Sequence, residues 1–137
     1  MTSPPGLNQA LRPGVVLVVE DHPDTQCALA AHLEECGWEV ALASDGEEAL
    51  RVARECRPQL VCLDLNLPNV SGYEVCEQMR DDPVLERTII VMMSARTTLD
   101  VRAYSLEAGA DAYVPKPYDV DDVLFLVKRL TLDRLAR

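Results

Sequence analysis

The chain has 137 residues, of which 48% are apolar and 26% charged, and its formal net charge is −10. This length suits one domain with a core of its own, and the composition excludes a disordered chain. A chain this acidic argues against general binding to nucleic acid or to an anionic membrane, and it favours a cation or a basic partner.

The cysteine usage indicates a reducing compartment. Five cysteines occur without a Cys-x-x-Cys pair, at Cys27, Cys36, Cys56, Cys62 and Cys76. We expect free thiols buried as small apolar residues in a cytoplasmic protein, rather than a disulfide framework or a thiolate metal site. No apolar run approaches the length of a membrane span, and the amino terminus shows no signal-peptide pattern.

Strand-like and helix-like patterns alternate five times along the chain. Apolar, largely β-branched runs predict strands at 15–19, 38–43, 60–64, 88–93 and 112–114. Helical spacing of apolar residues predicts helices at about 23–36, 44–56, 73–80, 99–108 and 119–132. This alternation implies an α/β fold whose parallel sheet carries helices on both faces. We expect a flexible arm at 1–12, one domain at 13–132 and a tail at 133–137.

Local signals predict how the helices begin and which faces they bury. Ser44 and Glu47 have the spacing of a capping box before the second helix. Asp24 and Asp119 are suited to cap the first and last helices. The predicted apolar face of the first helix consists of Ala28, Leu29, Ala31, Leu33 and Cys36.

Candidate site residues stand at the ends of four of the five predicted strands. Glu20 and Asp21 come after the first strand, Asp64 ends the third, Ser94 follows the fourth and Lys116 follows the fifth. In an open parallel sheet, ligands bind outside the carboxyl ends of the strands, at the point where the strand order reverses. If the first and third strands are neighbours, three carboxylates meet in one crevice.

Such a crevice needs a cation. Two carboxylates about 4 Å apart repel each other by roughly 4 kcal/mol at an effective dielectric constant near 20. One lysine cannot balance three carboxylates, and Mg²⁺ suits the site best because it prefers one or two carboxylates, several waters and a phosphate oxygen. A nucleophilic carboxylate, a metal, a lysine and a hydroxyl group are the parts needed for phosphoryl transfer.

With these motifs in order, the sequence resembles the receiver domains of two-component response regulators, in particular the single-domain chemotaxis regulators. The resemblance covers residues 14–132 and is carried jointly by Glu20-Asp21, Asp64-Leu65-Asn66-Leu67-Pro68, Gly72, Ser94-Ala95, Gly109-Ala110-Asp111-Ala112-Tyr113 and Lys116-Pro117. It implies the flavodoxin-like fold, in which five parallel strands have the order 2-1-3-4-5.

The resemblance also implies the chemistry of the acidic residues. Asp64 resembles the phosphoacceptor, which takes a phosphoryl group from a sensor histidine kinase or a histidine phosphotransfer protein. Glu20 and Asp21 resemble the acidic pair that binds Mg²⁺, together with Asp64 and the backbone carbonyl of Asn66. The domain would catalyse its own phosphorylation and its own slow dephosphorylation.

Further residues resemble the switch that reads the phosphoryl group. Lys116 would pair with the phosphoryl oxygens, and the peptide to Pro117 is typically cis in the family. Ser94 resembles the hydroxyl that moves toward the phosphoryl group, and Tyr113 resembles the aromatic side chain that then turns inward. The face formed by helix 4, strand 5 and helix 5 would change its preference for a downstream protein or a second copy. No nucleic acid or membrane partner is expected for this domain.

Three positions depart from the commonest family pattern. Glu20 stands where aspartate is usual, and Ser94 stands where threonine is commoner. Arg96 lies two residues after the switch hydroxyl, where the family tunes the lifetime of the phosphoryl group. These departures affect the expected rates and leave the assignment unchanged.

Two other functions use similar parts. A magnesium-dependent phosphatase of the haloacid-dehalogenase type also has a nucleophilic aspartate after a strand, but it needs a second aspartate where this chain has Asn66. A flavin carrier of the same fold needs a hydroxyl- and glycine-rich loop where Glu20 and Asp21 would repel a phosphate. His22 is a candidate metal ligand, although a hydrated loop histidine is the favoured interpretation. We expect His32 to be partly exposed and Trp38 to pack at the start of the second strand.

Overall fold

A computed structural model describes residues 14–95 and 99–135 of the chain. Its five strands are β1 (Val15–Val19), β2 (Glu39–Ala43), β3 (Leu60–Asp64), β4 (Ile89–Ser94) and β5 (Ala112–Pro115). They form one parallel sheet in the order β2-β1-β3-β4-β5. The predicted fold class and strand order are confirmed.

Five helices connect and follow the strands in the described residues. They are α1 (Pro23–Glu35), α2 (Gly46–Cys56), α3 (Gly72–Asp81), α4 (Leu99–Glu107) and α5 (Val120–Leu135). Helix α5 extends past the predicted end at 132, so part of the predicted tail is helical. The predicted arm at 1–12 and Arg96 lie outside the described residues. Within those residues, no helix combines the length and the apolar character needed to cross a membrane.

The sheet separates two apolar clusters. Successive side chains of a strand point to opposite faces, so Leu17 and Leu63 join one cluster while Val18 and Cys62 join the other. Helices α2, α3 and α4 cover the first face, and helices α1 and α5 cover the second. Because both faces are covered, every residue of β3 is buried. Trp38 packs in the second cluster, as predicted.

Two predicted helix caps are wrong. Helix α2 is capped by Asp45, whose Oδ1 accepts the N–H of Glu48 at 2.8 Å, instead of by Ser44. Asp24 lies inside the first turn of α1 and does not cap it, because the chain enters that helix through His22 and Pro23. Asp119 does accept the N–H of Asp121 at 2.9 Å, as expected of a cap on α5.

The buried face of α1 also differs from the prediction. It consists of Gln26, Leu29, Ala30 and Leu33, so a polar residue replaces one of the expected apolar positions. Cys27 and Cys36 are therefore exposed, whereas Cys62 and Cys76 are buried as predicted. Cys56 is half-buried, and all five thiols are free.

Gly72 fixes the approach of α3 to the end of β3. A Cβ atom at this position would lie 2.7 Å from the carbonyl oxygen of Asp64 and 2.8 Å from the Cα of Leu65. The Gly72 N–H donates to the Leu65 carbonyl at 3.1 Å. Only a residue without a side chain lets the helix begin this close to the strand.

Candidate functional site

The carboxyl ends of β1 and β3 lie side by side where the strand order reverses, and a cleft of about 700 Å³ opens there. Ten of its lining residues come from four segments of the chain: Glu20, His22, Asp24, Thr25, Asp64, Asn66, Ala95, Lys116, Pro117 and Tyr118. Topology therefore brings together residues that are up to 98 positions apart in the sequence, counted from Glu20 to Tyr118.

Lys116 bridges two of the predicted site carboxylates. Its Nζ lies 2.8 Å from Oε2 of Glu20 and 3.1 Å from Oδ2 of Asp64. Both carboxylates are buried, and the lysine side chain is 20% exposed. The other oxygen of Asp64 accepts the N–H of Asn66 at 3.1 Å. The peptide between Lys116 and Pro117 is cis, as expected.

The burial of these charges shifts their pKa values. Burial, together with hydrogen bonding to Glu20, raises the pKa of Asp64 to about 6. Burial also opposes the charge of Glu20, but hydrogen bonds with Asp64, Lys116 and His22 outweigh it and lower the pKa of Glu20. Burial would lower the pKa of Lys116, and its two carboxylate partners raise it instead. One cation thus pairs with two carboxylates, and the uncompensated repulsion appears as the raised pKa of Asp64.

Asp21 extends the acidic cluster beside Glu20. Its Oδ1 is buried and accepts no hydrogen bond from the described residues, although Nδ1 of His22 lies 3.1 Å away. An oxygen in this state loses its hydration without a compensating donor. A cation at this edge of the cleft would provide the missing partner, so these residues fit a divalent metal. Glu20, Asp21 and His22 form a group whose ligand atoms all lie within 4.8 Å of one another.

The ring of His22 contacts both residues of the acidic pair. Its Nδ1 lies 3.0 Å from Oε1 of Glu20, and its side chain is 74% exposed. A hydrogen bond to Glu20, with the charges of Asp21 and Glu20, raises the pKa of His22. The histidine is thus largely exposed, and its ring lies against the acidic pair.

Gln26 holds this loop in place, and the sequence analysis missed it. Its buried amide Nε2 donates to the carbonyl of Ala43 at 2.9 Å and to the carbonyl of Glu20 at 3.2 Å. The signal was available, because Gln26 shares the helical face of Leu29, Ala30 and Leu33. A lone polar residue on an apolar helix face commonly bonds the backbone behind it.

Ser94 and Tyr113 lie on neighbouring strands. Ser94 ends β4, is fully buried, and its carbonyl accepts the N–H of Lys116 at 2.7 Å. Tyr113 is half-buried and pairs in register with Met92, two residues before Ser94. Alternation along β4 puts Met92 and Ser94 on the same face of the sheet. The two predicted switch residues therefore occupy diagonal positions on the same face of adjacent strands.

Comparison with known proteins identifies the family. The model of the response regulator receiver domain matches residues 16–128. The transcriptional regulatory protein PrrA of Mycobacterium bovis is 40% identical over 116 residues, which cover 84% of this chain and 48% of that protein. The alkaline phosphatase synthesis transcriptional regulatory protein PhoP of Bacillus subtilis is 38% identical over 115 residues, covering 84% of this chain and 47% of that protein. The chain spans about half the length of these relatives.

Solved structures agree with the sequence relatives. A putative response regulator from Chloroflexus aurantiacus has a TM-score of 0.83 at 31% identity, covering 92% of this chain and all of that one. The receiver domain of a sensor histidine kinase from Pseudomonas aeruginosa has a TM-score of 0.80 at 28% identity and covers 87% of this chain and 98% of that one. Its description places a magnesium ion in the active-site cleft. This chain therefore belongs to the receiver domain family of two-component response regulators, which are signalling proteins rather than classical enzymes.

Proposed function

We propose that Asp64 accepts a phosphoryl group from the phosphohistidine of a sensor kinase or a phosphotransfer protein, with Mg²⁺ bound beside it. The main support is the state of Asp64 at the base of the cleft. It is 5% exposed, and its two oxygens are held apart by Lys116 and by the Asn66 N–H. A carboxylate fixed in this way needs no reorganisation to attack an incoming phosphorus atom.

The residues that would hold Mg²⁺ are Glu20, Asp21, Asp64 and the backbone carbonyl of Asn66. The buried oxygen of Asp21, which accepts no hydrogen bond from the residues that the structure describes, supports this assignment. Lys116 binds Oε2 of Glu20 and leaves Oε1 on the other side, so the ammonium group and Mg²⁺ would approach the carboxylates from different sides. When bound, the metal would neutralise charge on the phosphoryl oxygens and on the acidic pair.

The transfer itself is a displacement at phosphorus. A carboxylate oxygen of Asp64 forms the new O–P bond while the P–N bond of the donor histidine breaks, and the imidazole leaves. Lys116 already lies 3.1 Å from Asp64, so its ammonium group can follow the charge from the carboxylate to the phosphoryl oxygens. Water later cleaves the O–P bond, which releases inorganic phosphate and regenerates the carboxylate of Asp64, and this gives the slow autodephosphorylation expected of the module.

The output is a change in protein contacts. The hydroxyl of Ser94 would move toward the phosphoryl group, and Tyr113 would repack on the same face of the sheet. The surface formed by α4, β5 and α5 would then bind a downstream protein or a second copy of the chain. The relatives PrrA and PhoP are transcriptional regulatory proteins, so an output through an attached DNA-binding domain is part of the proposal.

The proposal is tested by incubating the protein with acetyl phosphate and Mg²⁺ and measuring its intact mass. We expect a phosphoryl adduct on wild type, none on Asp64→Asn, and an undiminished adduct on Asp24→Asn, which changes an exposed acid at the rim of the same cleft. EDTA should abolish the adduct. An adduct that persists in Asp64→Asn would refute the assignment.

The phosphatase alternative makes a different prediction in the same samples. A phosphatase would release phosphate from an ester over many turnovers, because a second carboxylate would act as acid and base. Asn66 cannot do this, so we expect no turnover of a phosphate ester. Sustained release of phosphate that depends on Asp64 would favour the phosphatase.

A further inference from the structure

The histidine after the acidic pair is placed like a metal ligand. Its Nδ1 lies 3.0 Å from Oε1 of Glu20 and 3.1 Å from Oδ1 of Asp21. Two adjacent ligands of one ion, each bound at about 2.1 Å and at a right angle, are separated by about 3.0 Å. The nitrogen and the two oxygens already have this spacing.

On this side of the acidic pair, Oε1 of Glu20 is bonded by His22 itself, through its backbone N–H and its ring. Lys116 binds Oε2 of Glu20 and leaves Oε1 facing His22. Oδ1 of Asp21 is buried and accepts no hydrogen bond from the described part of the chain. The three ligand atoms therefore converge on the side of the acidic pair that the lysine does not occupy.

The backbone holds His22 at this position while its ring remains adjustable. Its N–H points to Oε1 of Glu20 at 3.3 Å, and its carbonyl accepts the first helical N–H bond, from Gln26, at 3.0 Å. The side chain occupies the N-cap position of α1 but does not cap the helix. The ring is thus not needed for the helix and can turn toward an ion at little cost.

We propose that Nδ1 of His22 is a protein ligand in the metal site, so that the site accepts nitrogen-preferring divalent ions such as Mn²⁺ and Ni²⁺ alongside Mg²⁺. This inference rests on the proposed metal site of the receiver. Mg²⁺ takes oxygen ligands and gains little from imidazole, whereas imidazole suits first-row transition ions and its benefit increases from Mn²⁺ to Ni²⁺. His22 therefore sets which ion the domain selects, and the carboxylates provide affinity for all of them.

The experiment is a calorimetric titration of the whole chain with Mg²⁺, Mn²⁺ or Ni²⁺, using wild type, His22→Ala and His32→Ala. His32 is a matched control, because it is a partly exposed histidine on the same helix with a nearby carboxylate, Glu35 at 3.9 Å. The exposed thiols are present in all three proteins, so any binding to them is common to the comparison. We expect His22→Ala to weaken Ni²⁺ binding roughly tenfold or more and Mn²⁺ binding less, while Mg²⁺ binding stays within about twofold.

A spectroscopic measurement tests ligation directly. Electron spin echo modulation of bound Mn²⁺ reports a coordinated nitrogen, and we expect this signal in wild type and His32→Ala and its loss in His22→Ala. Without a nitrogen signal in wild type, His22 is only a hydrogen-bond donor to the acidic pair, and the inference fails. It also fails if His22→Ala weakens all three ions equally, because that result means a structural role for the loop.

These outcomes are separate from a failure of the proposed function. If Mg²⁺ binds to wild type and His22→Ala alike without any change in the Ni²⁺ to Mg²⁺ ratio, the receiver assignment stands and the role of His22 does not. If no divalent ion binds to wild type at the acidic pair, the metal-dependent function itself is refuted.

Discussion

Two charged clusters lie at opposite ends of the sheet, and they differ in how completely their charges are satisfied. At the carboxyl ends of the strands, Lys116 serves both Glu20 and Asp64, and an oxygen of Asp21 has no hydrogen bond from the described residues. At the amino ends of β4 and β5, Arg80 is bound through all its donor nitrogens. The first cluster leaves charge to be balanced by a ligand, whereas the charges of the second cluster are balanced by other residues of the fold.

The Arg80 cluster connects α3 to two loops. Its Nε donates to the carbonyl of Gly109 at 2.8 Å, and Nη1 donates to the carbonyls of Glu86 at 2.9 Å and Thr88 at 2.6 Å. Its Nη2 binds Oδ2 of Asp111 at 2.9 Å. The same carboxylate oxygen accepts the N–H of Ile90 at 2.8 Å, so the charges and the backbone are satisfied together.

The contrast explains why one acidic residue is costly and another is not. Asp111 faces a bound guanidinium and a backbone N–H, while Asp64 is buried beside a second carboxylate that shares its lysine. Buried charges stabilise a fold only when their partners compensate the lost hydration. In a site that binds a metal ion and a phosphoryl group, part of the lost hydration of the carboxylates is compensated only when these ligands bind.

The largest effect should come from breaking the complete cluster. Arg80→Met keeps much of the apolar stem and removes the four hydrogen bonds that Arg80 donates to three carbonyls and to Asp111. Asp111 keeps the N–H of Ile90 but loses its guanidinium partner. We expect the free energy of unfolding in urea to fall by about 3 kcal/mol. Arg51→Met, which breaks an exposed pair with Glu55, should change it by less than about 0.5 kcal/mol. Equal effects of the two variants would contradict the comparison.

The next effect concerns the backbone at the end of β3, which carries Asp64 of the incompletely balanced cluster of Glu20, Asp21, Asp64 and Lys116. In Gly72→Ala, the new methyl group meets the backbone of Asp64 and Leu65 at 2.7 and 2.8 Å, so β3 or α3 must move. We expect a loss of about 2 kcal/mol in stability and a slower phosphorylation of Asp64 by acetyl phosphate. Gly14→Ala is the matched control, because its methyl group meets only the movable side chain of Gln59. A phosphorylation rate unchanged in Gly72→Ala would show that the end of β3 tolerates the displacement.

Neutralising the incomplete cluster should stabilise the protein. The pKa of Asp64 is about 6 in the folded protein, above its ordinary 3.8, so the folded state binds more protons than the unfolded chain in this interval. Its free energy of unfolding then falls as the pH rises through the interval. In EDTA at pH 8, we expect Asp64→Asn to be more stable than wild type by about 1 to 2 kcal/mol.

The pH dependence provides the check on that gain. At pH 4.5, Asp64 of the folded wild type is largely protonated, so the folded state no longer has to bury its charge. The free energy of unfolding of wild type should therefore rise toward that of Asp64→Asn. Urea denaturation at both pH values measures it. Glu34→Gln, an exposed acid on α1, should show no comparable change. A destabilised Asp64→Asn at pH 8 would mean that Lys116 fully compensates the carboxylates.

The smallest effect tests the anchor of the acidic loop. Gln26→Met retains the side-chain length and removes the donor to the carbonyls of Glu20 and Ala43. We expect a stability loss of about 1 kcal/mol and weaker Mg²⁺ binding, because the carbonyl of Glu20 loses the amide group that connects it to α1. Thermal unfolding and calorimetry measure the two effects. Stability lost without any change in Mg²⁺ affinity would limit Gln26 to a packing role.

The sequence determined the elements of the fold and the residues proposed for the site. β-Branched runs such as Val15–Val19 have no stable alternative to a buried parallel strand, so the sheet could be predicted from local patterns. Asp64, Lys116 and Glu20 were identifiable because each is a charged residue at the end of such a run, where burial is costly without a ligand or a partner. The wrong predictions concerned local features with two neighbouring candidates, such as Ser44 and Asp45 as the cap of α2.

Only the tertiary structure decided how those charges are shared. That Lys116 binds Glu20 and Asp64 together depends on the distances between three separate loops. That Oδ1 of Asp21 has no donor among the described residues, and that the ring of His22 lies against the acidic pair, depend on how their shared loop folds. The sequence contains no signal for such distances, because they follow from how α1 and β5 pack against the sheet. The same holds for the bonds of Arg80, whose partners Gly109 and Asp111 lie about thirty positions along the chain.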